Sequence, residues 1–143
     1  EALARRHRVH YRDVAAGVVS RAVREAERAA ALGVPRDSIM IDPGHDFGKN
    51  TRQSLVVTRN LADMVDTDWP VLMSLSNKDF VGETLAVPLG ERLVGTLATT
   101  AISAWLGARV FRVHEVLQTR QTLDMVAAIA GTSEPRVAVR GLA

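Results

Sequence analysis

Apolar residues Val14, Val18, Ala22, Ala26 and Ala29 recur at intervals of three and four among Arg and Glu, a spacing that predicts a helix over residues 11–32. Gly33 suits the position after its last turn, and Pro35 blocks continuation. A short apolar run over 38–42, ending in Asp42, reads as a buried parallel strand, and 43–50 as a loop with two glycines. Thr51 or Ser54 is placed to cap a second helix running to about residue 65. A second strand is expected over 70–75, a loop over 76–87, and a long helix over 88–106 opened by Pro88 and closed by Gly107. A third strand over 109–113 and a last helix over 116–130, stopped by Gly131, complete the pattern, with 134–143 as a tail. Strands alternating with helices through short connections mean a parallel sheet with helices outside it.

The 143 residues are 47% hydrophobic and 24% charged, a globular balance that argues against disorder. A complete (β/α)₈ barrel needs at least ~200 residues, so the chain is too short for one. The first residue is not Met, which is expected of a fragment or a processed chain. Eighteen Lys and Arg nearly balance sixteen acids, leaving net +2, so charge gives no reason to expect a nucleic-acid partner. Without cysteine, neither disulfides nor thiolate metal sites can form, in keeping with a cytoplasmic setting. No apolar run reaches the length of a membrane span, and the first ten residues have no signal-peptide core.

The chemistry gathers at the strand ends. Asp42 follows the first, Ser76-Asn77-Lys78 the second, and Arg112 and His114 sit at the third, where they alternate with Val113 and so share one side of the strand. Any one of these residues is most simply a helix cap or a solvated side chain. Three adjacent strand ends delivering Asp, Lys, Arg and His to one rim point instead to a ligand site, because parallel α/β folds bind ligands there. The helix over 88–106 carries two apolar stripes, one of Leu89, Leu93, Leu97, Thr100 and Ala104 and one of Val94, Ala98, Ile102 and Trp105. One stripe faces the sheet; two suggest a partner helix or subunit, or else a single wide buried stripe.

Four motifs then carry a resemblance. Asp42-Pro43-Gly44-His45-Asp46-Phe47-Gly48-Lys49 resembles the Asp-Pro-Gly loop of dihydropteroate synthases. Ser76-Asn77-Lys78-Asp79-Phe80-Val81-Gly82 resembles their Ser-Arg-Lys-Ser-Phe-Ile-Gly loop. Glu91-Arg92-Leu93 with Gly95-Thr96-Leu97-Ala98-Thr99 is similar to their next helix, and Arg112-Val113-His114-Glu115 to their Arg-Val-His-Asp strand end. The motifs stand in the family's order between residues 42 and 115. The resemblance implies that residues 1–143 form one partial pterin-binding domain, the C-terminal part of a (β/α)₈ barrel with strands six to eight and their flanking helices.

It also implies the chemistry. These enzymes expel pyrophosphate from a dihydropterin pyrophosphate, and p-aminobenzoate attacks the resulting pterin-methyl cation. Asp42 would accept from pterin N–H groups, Lys78 would engage the ring carbonyl, and Phe47 would either pack near the pterin or belong to the core. Arg112 would serve the pterin and, with His114, the leaving pyrophosphate. Lys78 and Asp79 fall at the p-aminobenzoate site, which sulfonamide-like analogues would share. Magnesium is implied through the pyrophosphate, with its protein ligand outside these residues, and a homodimer through helix 88–106 and the last helix.

Three positions depart from the family: Asp46 stands for its Gly, Asn77 for its Arg, and Asp79 for its Ser, at the helix N-terminus that seats the benzoate carboxylate. Asp79 is able to occupy that positive end itself and to repel an incoming carboxylate. Two charges ~4 Å apart cost about 1–4 kcal/mol between watery and surface dielectrics, roughly a fivefold to several-hundredfold loss of affinity. The phrases His-Asp-Phe-Gly-Lys-Asn and Ser-Asn-Lys-Asp resemble in particular the divergent second paralogue of actinobacteria, regarded as lacking the synthase reaction, and the Arg- and Ala-rich composition agrees. The expectations are thus a synthase of folate biosynthesis, a pterin- or anion-binding paralogue without that activity, or a structural remnant. A methyltetrahydrofolate-type pterin domain fits the Arg-Val-His and Ser-Asn-Lys loops less well. The 143 residues alone are expected to be inactive.

Overall fold

The computed structural model describes residues 13–141, so the predicted helix start at Tyr11 and the last two residues of the expected tail lie outside the described residues. Helix α1 (Val14–Ala31) opens on Asp13, whose carboxylate accepts the Ala16 N–H at 3.1 Å. It closes where the Val34 N–H reaches back to the Ala29 carbonyl across Gly33, which adopts φ 96°. Val18 and Ala26 face the core.

The first expected strand is shorter than the apolar run that announces it. Residues Arg36–Ser38 form a tight helical turn, which leaves Ile41 as the only residue in the ladder, bridged to Val71 in parallel. Strand β1 (Leu72–Met73) pairs in parallel with β2 (Val110–Phe111). The Arg112 N–H, bonded to the Met73 carbonyl at 2.9 Å, prolongs that contact. The three parallel segments therefore lie side by side in chain order. Both outer ones have a neighbour on one side only, which is why regular pairing is brief. Ile41, Val71, Met73 and Leu75 from the segments pack with Trp69, Phe80, Leu61 and Met64 to form the core.

The second helix differs from expectation at both ends. Asn50, not Thr51 or Ser54, is its cap. Asn50 and Gln53 exchange side-chain and backbone hydrogen bonds at 2.9 and 3.0 Å, so α2 (Thr51–Arg59) begins one turn earlier than a Ser54 cap would allow. The helix breaks at Asn60, whose side-chain amide bonds the Val56 carbonyl, and a short α3 (Leu61–Val65) follows.

The expected 76–87 loop contains a helix, α4 (Asp79–Leu85), ended by Ala86 at φ 55°. Pro88 opens only a single helical turn (Leu89–Glu91), and α5 (Leu93–Trp105) starts from Arg92. Gly95 lets the two helices close: a Cβ there would stand 2.5 Å from Val81 Cγ1. Of the two α5 stripes, Thr100 and Ala104 are buried, joined by Thr96 and Ser103. Val94, Ile102 and Trp105 are exposed, so the outer stripe covers nothing within the described residues. Helix α6 (Val116–Ile129) packs on α5, and residues 134–141 carry no helix or strand.

Candidate functional site

The loop after the first segment is built around a buried histidine. His45 is 1% exposed, lies 5.3 Å from Phe80 ring to ring, and shares a 2.8 Å hydrogen bond between Nε2 and Thr58 Oγ1. Burial, reinforced by Lys49 and Lys78, pulls its pKa down from 6.5 to about 3, so the ring is neutral. With its side chain anchored, His45 presents its carbonyl to Lys78 Nζ at 3.0 Å, and the same ammonium sits 4.3 Å above the Phe47 ring. Phe47 is 71% exposed and takes no part in the core of the described residues. Lys49 ties the loop from beneath, donating to the Gly44 and Phe47 carbonyls at 2.7 and 3.1 Å. Its own burial lowers its pKa.

Asp42 is held by both oxygens: Oδ1 accepts the Gly44 N–H at 2.7 Å and Oδ2 the Ser74 hydroxyl at 3.1 Å. Each carboxylate oxygen keeps a lone pair for an incoming donor. Ser74, Ser76, Lys78, Arg112, Val113 and His114 line one open groove of about 340 Å³ at the strand ends. The structure thus brings Lys78, Arg112 and His114 to one groove, with Asp42 joined to it through Ser74 and Phe47 through Lys78. The two groove serines are residues that motif reading passes over as site members. Their signal is period two, since Ser74 and Ser76 alternate with the buried Met73 and Leu75 and so share a face of the strand.

Asp79 stands apart from this groove. Its carboxylate pairs with Arg92 Nη1 at 2.9 Å, and Arg92 also donates to the Asn77 carbonyl at 2.8 Å. The carboxylate that sits on the start of α4 is Asp46, 33 residues upstream: Oδ2 accepts the Asp79 N–H at 2.6 Å and the Phe80 N–H at 3.4 Å. The expectation that Asp79 itself fills the helix end is therefore corrected. The geometry of a residue inside its own first turn turns its side chain outward, whereas Asp46, at φ 66°, reaches in from the neighbouring loop. Asn77, also left-handed at φ 57°, gives its side-chain amide to Glu115 at 3.2 Å instead of facing the groove. Glu115 accepts the Ser76 hydroxyl as well, and these hydrogen bonds, that of Asn77 foremost, lower its pKa. Among the described residues no group of three or more His, Asp or Glu is placed to hold a metal ion, and no helix is long and apolar enough to cross a membrane.

Comparison with known proteins identifies the family of the chain. The family described as pterin binding enzyme matches residues 2–114. A Mycobacterium leprae protein named inactive dihydropteroate synthase 2 is 59% identical over 95% of this chain and 48% of its own length. The structure of Mycobacterium tuberculosis Rv1207 superposes with a TM-score of 0.71 at 50% identity, covering 89% of this chain and 48% of that one. The dihydropteroate synthase of Thermus thermophilus in complex with 6HMPPP superposes with a TM-score of 0.81 at 35% identity, covering 87% of this chain and 50% of that one. The chain spans about half the length of the curated relatives it matches. The strand-end groove with its Lys, Arg and His, to which Ser74 joins Asp42, and the match over most of the sequence lead to one conclusion: this chain belongs to the pterin-binding enzyme family.

Proposed function

We propose that the groove is the pterin and pyrophosphate half of a dihydropteroate synthase-type site, in a longer barrel protein of which these three segments are strands six to eight, and that condensation with p-aminobenzoate has been lost. The observation that carries the pterin reading is the convergence of Asp42, Lys78, Arg112 and His114 on one rim. Asp42 is pre-set to accept two pterin N–H groups, Lys78 meets the ring carbonyl, and Phe47 lies against the ring system. Arg112 and His114 supply donors where charge grows on a departing pyrophosphate. The family relative solved in complex with 6HMPPP supports this assignment.

The loss of condensation rests on Asp46. Its carboxylate occupies the Asp79 and Phe80 amides that would otherwise meet a benzoate carboxylate, and Asp79, paired with Arg92, lies alongside. The relative named inactive is in keeping with this. Magnesium enters only with the pyrophosphate. Among the described residues no cluster of His, Asp and Glu fits a metal site. A cytoplasmic homodimer completes the reading, held through the exposed Val94, Ile102 and Trp105 of α5 with Leu117 and Met125 of α6.

Calorimetry on the full-length protein tests the proposal. A dihydropterin pyrophosphate is expected to bind, and p-aminobenzoate, added with pyrophosphate present, is not. Binding of both would restore the synthase assignment, with turnover as the next assay, and binding of neither would reduce the motifs to inherited scaffold. Replacing the acids together (Asp46→Gly with Asp79→Ser) should raise affinity for benzoates or sulfonamide-like analogues. Unchanged affinity would remove the charge argument. The 143 residues alone should show no turnover above a protein-free control.

A further inference from the structure

The last strand end holds a chain of hydrogen bonds that the groove reading does not use. Ser76 is 8% exposed, and its hydroxyl has three neighbours: Glu115 Oε2 at 3.2 Å, the His114 backbone N–H at 3.3 Å and His114 Nδ1 at 2.8 Å. A hydroxyl has one proton to give and two lone pairs to receive with. A carboxylate only accepts, so the single Ser76 proton lies toward Glu115. The backbone N–H fills one lone pair. The remaining contact is closed only if Nδ1 donates to the other.

We propose that Ser76 and Glu115 are positioning residues that fix the neutral His114 ring as its Nδ1–H tautomer and leave Nε2 as the nitrogen that meets the ligand. The inference rests on the reading of the groove as a pyrophosphate site. A ring with Nδ1 committed exchanges a proton with the groove through Nε2 alone. When Nε2 also carries a proton it donates to a phosphate oxygen, and the positive charge is shared along the Nδ1–H, Oγ–H and carboxylate chain. The charged groups around the ring are Glu115, reached through Ser76, and Lys78 and Arg112, which line the groove with it. Asn77 acquires a purpose here: its side-chain amide holds the other oxygen of Glu115 at 3.2 Å, orienting the carboxylate toward Ser76.

Long-range ¹H–¹⁵N correlation on the full-length, ¹⁵N-histidine-labelled protein reads the tautomer directly, with His114→Gln assigning the signals and His45 serving as the control for an intact fold. The wild-type neutral ring should be Nδ1–H. Ser76→Ala removes the acceptor, and Glu115→Ala releases the Ser76 proton to donate to Nδ1. Both should move the ring to Nε2–H and weaken inorganic pyrophosphate binding by roughly tenfold, the scale of one hydrogen bond to a charged group. A wild-type Nε2–H ring, or a tautomer unmoved in both variants, overturns the inference. So does a moved tautomer with unchanged pyrophosphate affinity, which would deny the positioning role. An Nδ1–H ring in a protein that binds no pyrophosphate upholds the hydrogen-bond chain and refutes the groove reading instead, so the two failures are told apart.

Discussion

His45 should make the fold sensitive to mild acid. The imidazole is buried, its Nδ1 has no partner, and two ammonium groups lie nearby, so the folded state does not accept a proton until about pH 3. The unfolded chain accepts one near 6.5. Between these values the unfolded state binds more protons, and stability falls as pH falls. At about 1.4 kcal/mol per pH unit the loss begins just below 6.5 and reaches roughly 4–5 kcal/mol by pH 3, a large share of a typical domain's total. Urea unfolding of the intact protein at stepped pH, wild type against His45→Gln, isolates this contribution. Glutamine keeps a polar group for Thr58 and does not titrate. The difference in unfolding free energy should be constant above pH 7 and should then shift against the wild type with the stated slope. Parallel curves from pH 7 to 4.5 would show that the buried ring is not the acid-sensitive element.

Asp46 serves as a cap but sits at a left-handed φ of 66°. Asp46→Gly loses a cap worth about 1 kcal/mol and relieves backbone strain of about 1 kcal/mol, so calorimetric melting should move little. Asp46→Ala loses the cap and keeps the strain, and should cost about 1–2 kcal/mol; equal effects of the two variants would refute that split. Trp105, 62% exposed on the outer stripe of α5, should anchor self-association. Trp105→Asp is expected to shift the full-length protein toward monomer in sedimentation velocity without lowering its melting temperature, and an unchanged oligomer would exclude this face.

What could be read from the sequence follows the range of the forces involved. Helix ends governed by neighbours in the chain were legible: Gly33, Gly107 and Gly131 all take the positive φ that their positions beyond helix ends call for. Periodicity hides helix α4, because Gly82 interrupts a segment of seven residues, too short to show a period, and only the family resemblance places a helix start at Asp79. The break at Asn60 and the single turn after Pro88 were equally hidden, each depending on local hydrogen bonds within an otherwise helical pattern. At the strand ends, Asp42, Lys78, Arg112 and His114 stood out by residue type and spacing. The burial of His45 and the reach of Asp46 across 33 residues are tertiary facts with no local signal.

The Asp46 contact bears on how specificity changes over evolutionary time. An internal side chain standing where a substrate's carboxylate would rest leaves the surrounding backbone intact. On the reading proposed above, one half of a two-substrate site has been closed by side-chain changes at Asp46 and Asp79, while the other half keeps its residues. Such a closure exerts no pressure on the scaffold to decay. It allows a paralogue to keep recognising one substrate of an ancestral reaction, free to serve as a reporter or a reservoir for it, and it leaves the route back to the two-substrate chemistry short.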